Sequence, residues 1–111
     1  MATTPKEFTA TAYLPDSTAA QYTVPSNTTS IIKQLSLHNI SSSPVAVTLN
    51  AVASGGSATT ANQKTKVTVA ANQSLQVYEW INRTLPAGSA IYGVADTASA
   101  VTIDISGNEV T

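Results

Sequence analysis

Few side chains in this 111-residue sequence belong to the types that move protons, hold metals or attack bonds. A hydrolase or transferase needs a base beside a nucleophile, or two paired carboxylates. The chain has one histidine, His38, at the end of an apolar-polar segment just before Asn39, where a surface imidazole on a polar face is expected. Asp96, Asp104 and Glu109 are the carboxylates that could gather around a calcium ion through oxygen ligands. No Asp-x-Asp-x-Asp loop accompanies them, so solvated strand and turn carboxylates are expected instead. Zinc chemistry is set aside because cysteine is absent and histidine single. The missing cysteine also removes disulfides and thiolate chemistry.

Other motifs have a plain structural reading. Gly55-Gly56 lacks the Gly-Lys-Ser/Thr ending and following helix of a phosphate cradle, and so reads as a flexible hairpin tip. Asn-x-Ser/Thr sequons start at Asn27, Asn39, Asn72 and Asn82, and read as turn asparagines rather than glycan acceptors. Of Tyr78 and Trp80, one is expected in the core and the other exposed as an aromatic contact for a partner or a sugar. No catalytic residue, metal or cofactor is assigned, and the chain reads as non-enzymatic.

The elements that would carry these residues are strands. Val45, Val47, Leu49, Ala51 and Ala53 share one parity, as do Val67 with Val69, Leu75 with Val77, and Val101 with Ile103 and Ile105. A period of two marks strands with one buried and one wetted face. The alternation of Phe8, Ala10 and Ala12 predicts a first strand, and Tyr22 to Val24 a short one stopped by Pro25. Ile31 to His38 follows, with Ile31, Leu35 and Leu37 as its buried parity and Lys33 breaking the pattern. Paired with Val45 to Ala53 it reads as an antiparallel hairpin. Further strands are expected over Lys64 to Ala70, Ser74 to Ile81, Ser89 to Ala95, and Ala100 to Ser106, the last closed by Gly107. The fold class is therefore all-β: a single antiparallel β-sandwich of about seven or eight strands, jelly-roll-like or immunoglobulin-like. Residues 1–29 form a leading segment, an edge strand or an arm on a neighbour, and residues 30–111 the sandwich core, together one domain.

Charge narrows the partners. Lys6, Lys33, Lys64, Lys66 and Arg83 are scattered and the formal net charge is −1, so no basic stripe tracks a nucleic-acid backbone. The start, Met1 to Lys6, lacks the apolar core of a signal peptide, and no stretch approaches the length of a membrane span. Synthesis in a cytoplasm, with no membrane partner, is expected.

The order of segments carries a resemblance. Ser30 to Asn39, Val45 to Leu49 and Ala53-Ser54-Gly55-Gly56-Ser57-Ala58 are the first part of it. Val69 to Val77, Leu85-Pro86-Ala87-Gly88-Ser89-Ala90-Ile91 and the ending Val101 to Val110 complete it. Together, over residues 22–110, they resemble small β-sandwich structural proteins of tailed bacteriophages, of the head-decoration or head-fibre type. The resemblance implies a virion structural protein on the outer surface of the particle, most simply a capsid decoration subunit that stabilises the shell. It implies the major capsid protein as chief partner and a homo-oligomer, a trimer by preference. Similar domains in tail tips and fibres leave a second expectation, a module recognising a host surface glycan. Contacts are expected in Thr4 to Tyr13 and Ser54 to Asn62, with Phe8, Tyr13, Gly55, Gly56, Tyr78, Trp80 and Tyr92 as candidates.

Overall fold

Alternating apolar side chains place a single core between two sheets. A computed structural model describes residues 2–111, the side chains of Ala10 and Thr11 excepted. Among the described residues the strands are β1 (Thr3–Tyr13), β2 (Ala19–Thr23), β3 (Thr29–Asn39), β4 (Val45–Val52), β5 (Gln63–Val69), β6 (Ser74–Gln76), β7 (Thr84–Leu85), β8 (Ala90–Ala95) and β9 (Val101–Val110). One sheet has the order β1-β9-β3-β6, with β7 also pairing to β3; the other is β2-β8-β4-β5, and every pairing is antiparallel. Leu35 and Leu37 of β3 and Ile103 and Ile105 of β9 face Val47 and Leu49 of β4 and Ile91 of β8, all fully buried. This is a two-sheet antiparallel β-sandwich.

Its connectivity separates the two expected alternatives. Only the β4–β5 connection joins paired neighbours, and only β6–β7 otherwise stays within one sheet, both strands pairing with β3; every other connection crosses to the opposite sheet. That interleaving is jelly-roll-like, not immunoglobulin-like. It also overturns the expected hairpin of Ile31–His38 with Val45–Ala53, because β3 and β4 lie in different sheets. What turns the chain between them is Asn39. Fully buried, it donates through Nδ2 to the carbonyls of Ser43 (2.8 Å) and Val69 (2.9 Å), and its Oδ1 accepts from the backbone N–H (2.9 Å) and hydroxyl (2.7 Å) of Ser41. A carboxamide has two donors and one oxygen with two lone pairs, and all four are used. Asn39→Ala is expected to cost about 2 kcal/mol, the penalty of unpairing buried groups. A lower urea midpoint at unchanged slope is the readout, and an unchanged midpoint would contradict it.

Three further expectations are corrected. On β3 the buried residue is Ile32, not Ile31, because a register shift between Ile32 and Gln34 opposite β9 inserts an extra residue. The bulge lets Ile32 and Leu35 both point inward while Lys33 and Gln34 stay exposed. Gly107 does not close the last strand, since β9 runs on to Val110. The segment Ser74–Ile81 is strand only to Gln76; Tyr78–Trp80 forms a 3-10 turn. Residues 78 and 80 would share a face on a continuous strand. The turn is what separates them, leaving Trp80 fully buried and Tyr78 73% exposed.

The leading segment belongs to the sandwich. It supplies β1 and β2, one to each sheet, and its Leu14, Tyr22 and Val24 are in the core. The expected alternation of Phe8, Ala10 and Ala12 falls partly outside the described residues at Ala10. Phe8 packs against the core and Ala12 is exposed, with register shifts between Glu7 and Ala12 that break the parity.

Candidate functional site

The residues with chemical potential are dispersed. His38 is exposed on the outer face of the first sheet, paired with Thr102, and its Nδ1 lies 2.8 Å from the Ser74 hydroxyl. Asp104 shares that face two positions along β9, opposite Ser36, while Asp96 sits in the β8–β9 connection. Glu109 is at the far end of β9. There it accepts a hydrogen bond from the Tyr22 hydroxyl (3.0 Å) and pairs with Lys6 (3.6 Å). Among the described residues the three carboxylates do not converge.

The Glu109 end is a structural clamp. Tyr22 reaches the Ser30 hydroxyl (2.6 Å) as well, and Phe8 stacks on its ring at 4.4 Å between centroids. Burial raises the Tyr22 phenol; the Ser30 hydrogen bond works against that and Glu109 with it, leaving it pushed up to about 12. It therefore remains a proton donor through the range in which proteins work. The clamp ties β1, β2, β3 and β9 together just before the exposed start of β1.

Beyond the clamp, β1 is unusual. Residues 3–7 are in register with Val110 to Ser106 of β9, yet all five are exposed. A strand lying on a core would bury every second side chain. Over residues 3–7 neither face of β1 is covered, and among the described residues its outer edge has no neighbouring strand. Pro5, which has no N–H, and the charged Lys6 guard that edge against open-ended strand pairing.

The loop between β4 and β5 is anchored, not a free tip. Asn50, on the outer face of the second sheet, is 5% exposed because residues 57–62 fold back over it. Its Nδ2 donates to the Thr59 carbonyl and to Asn62 Oδ1, both at 2.8 Å, and Asn62 in turn donates to the Ser57 carbonyl at 2.8 Å. Ser54 and Gly55 form the turn of an exposed stretch, with Gly55 at φ +77°. The sequons divide likewise. Asn27, Asn72 and Asn82 take the left-handed conformation of turns, whereas Asn39 is the buried crossover residue.

Among the contact candidates, Tyr13 (52% exposed) and Tyr78 stand out from the surface, and Gly55 and Gly56 are exposed. Phe8 and Tyr92 are half-buried. Trp80 is removed from the set: its indole is fully buried and donates to the Thr65 hydroxyl (2.9 Å), which donates to Glu79 Oε1 (2.6 Å). The residues brought together around Trp80 were not singled out from sequence. Lys64 and Arg83 line a recess with Glu79 and Trp80, the Arg83 guanidinium lying 5.6 Å from the indole centroid. The spacing of Trp80 and Arg83, three apart with a Lys on a neighbouring strand, gives no signal until the 3-10 turn is known.

The geometry thus defines a jelly-roll-like β-sandwich on which His38, Asp96, Asp104 and Glu109 stand apart from one another. Comparisons with protein-family models, with curated proteins and with solved structures found no match to the chain.

Proposed function

We propose that this is a non-enzymatic structural protein of a bacteriophage virion, a decoration subunit seated on the outer surface of the head as a homotrimer. Its chief partner is the major capsid protein. By bridging neighbouring capsid subunits it adds buried area across their seams, and binding to the assembled shell alone stabilises that shell by mass action. The observation that carries the reading is the uncovered start of β1, a strand ordered by β9 but without a core on either face. Such a strand gains burial from a neighbouring protein. A near-neutral surface with little self-repulsion suits close packing of many copies, and the segment order resembles head-decoration and head-fibre proteins.

Removing residues 1–13 would strip the partner from β9 and take Phe8 away from the Tyr22 clamp. Removing residues 2–7 alone spares Phe8 and Leu14. The shorter deletion is expected to leave a folded domain while lowering cosedimentation with heads stripped of the protein at least tenfold. Undiminished binding by a folded deletion variant would defeat the proposal.

Exposed Tyr78 and Tyr13 favour one second reading, a tail-tip or fibre module that stacks on a host surface glycan. Copy number per particle separates the two, being in the hundreds on a head and a few at a tail tip.

A further inference from the structure

The open side of the sandwich, between edge strand β5 of one sheet and the chain from Tyr78 to Pro86 along the other, holds two recesses that meet at Arg83. The first, about 150 Å³, is cationic: Lys64 and Arg83 face it, and its one carboxylate, Glu79, accepts the hydrogen bond of Thr65. The second, about 170 Å³, is largely apolar and includes Ala51, Val52, Leu85 and Pro86. Arg83 is held in place by its backbone, whose N–H donates to the Trp80 carbonyl (3.1 Å) and whose carbonyl accepts from Ile32 (2.9 Å). Its side chain is less well provided for. Nε is sealed from solvent with no hydrogen-bond partner among the described residues, and no carboxylate lies within ion-pair range. A guanidinium carries five donors in a planar fork suited to a carboxylate, and one packed over an indole is already partly desolvated.

We propose that these paired recesses bind an acidic-apolar peptide segment of a protein partner, a Glu or Asp carboxylate engaging Arg83 and Lys64 while an adjacent aliphatic side chain enters the apolar recess. An acidic sugar would present a carboxylate too, but Trp80 is fully buried and offers no ring face to a sugar, whereas the neighbouring recess is shaped by aliphatic groups. The proposal does not depend on where the domain sits in a particle. Loss of head binding on deleting residues 2–7 and loss of peptide binding here are separate outcomes.

Arg83 is the only arginine and Trp80 the only tryptophan, so the Arg83 Nε–H and the Trp80 indole N–H each give one unambiguous NMR signal. Titration of the full chain with acetyl-Leu-Glu-amide is expected to shift both saturably. Acetyl-Leu-Gln-amide should bind at least threefold more weakly, as should sodium acetate, which lacks the apolar part. Arg83→Gln is expected to abolish the response at the indole. Because that variant disturbs packing over Trp80, Lys64→Gln serves as the second, and should weaken binding about threefold with the indole signal of the free protein unmoved. Absence of a saturable shift, equal binding of the Leu-Gln compound or of acetate, or Lys64→Gln binding as well as the parent would each overturn the proposal. Glucuronate binding as tightly as the Leu-Glu compound would overturn the peptide in favour of an acidic sugar.

Discussion

Trp80→Ala is expected to cost about 4 kcal/mol, within the range for truncating a buried aromatic side chain. The indole is the largest fully buried side chain of the core. It is also the joint between sheets, since it stands on the β6–β7 side of one and donates to Thr65 on β5 of the other. Truncation leaves a cavity, removes the donor to Thr65 and withdraws the surface on which Arg83 lies. Domains of this size are stable by about 5 to 15 kcal/mol, so the variant would stand near its unfolding threshold. At about 4 °C per kcal/mol, its melting temperature by circular dichroism should fall by about 16 °C. Trp80→Phe, which keeps most of the volume and loses the N–H, should fall by less than half as much. Equal losses for the two would mean that volume is not the dominant effect.

The second large effect is expected at Gly107. This residue lies in β9 opposite Lys6 of β1 and Ile32 of β3, at the level of the β3 bulge. A Cβ there would run into the carbonyl oxygen of Ile31, with the Phe8 ring at 2.9 Å and the Lys33 N at 3.0 Å. The first and last are backbone atoms, which cannot rotate away as a side-chain tip would. Gly107→Ala is therefore expected to cost about 3 kcal/mol, the upper end for overpacking. Ser106→Ala, one residue away and half exposed, should stay within about 0.5 kcal/mol of the parent. Chemical denaturation of the pair isolates the effect of the close approach, and a Gly107→Ala midpoint equal to that of Ser106→Ala would disprove it.

The strands that could be read from sequence were those whose partners lie on one face only. Val45, Val47 and Leu49 on β4 and Val101, Ile103 and Ile105 on β9 alternate without interruption because over these residues one face of each strand lies on the core and the other does not. Legibility failed where a local rule was overridden by a distant neighbour. The switch from Ile31 to Ile32 depends on a bulge that the β9 pairing sets, and nothing within Ser30 to Leu37 announces it. Closeness along the chain suggested a β3–β4 hairpin, but the buried carboxamide of Asn39 turns that segment across to the other sheet. The sequon at that position hid its structural role. The candidate contacts fared according to the same distinction. Tyr13 is exposed at the end of its strand, whereas the exposure of Tyr78 depends on the 3-10 turn, and the recess at Arg83 arises from side chains on that turn and a strand of the opposite sheet, which no spacing rule joins.

The pairing of β1 with β9 continues to the last described residues, where Ala2 and Thr111 exchange backbone hydrogen bonds, each 2.9 Å. Ala2 and Thr111 thus lie side by side. Both stand at one corner of the fold, next to the uncovered half of β1, so a segment joined through either of them is delivered to the same place. A short covalent bridge between residues 2 and 111 would move no strand, and the exposed turn at Gly55 offers a natural place to open the chain instead.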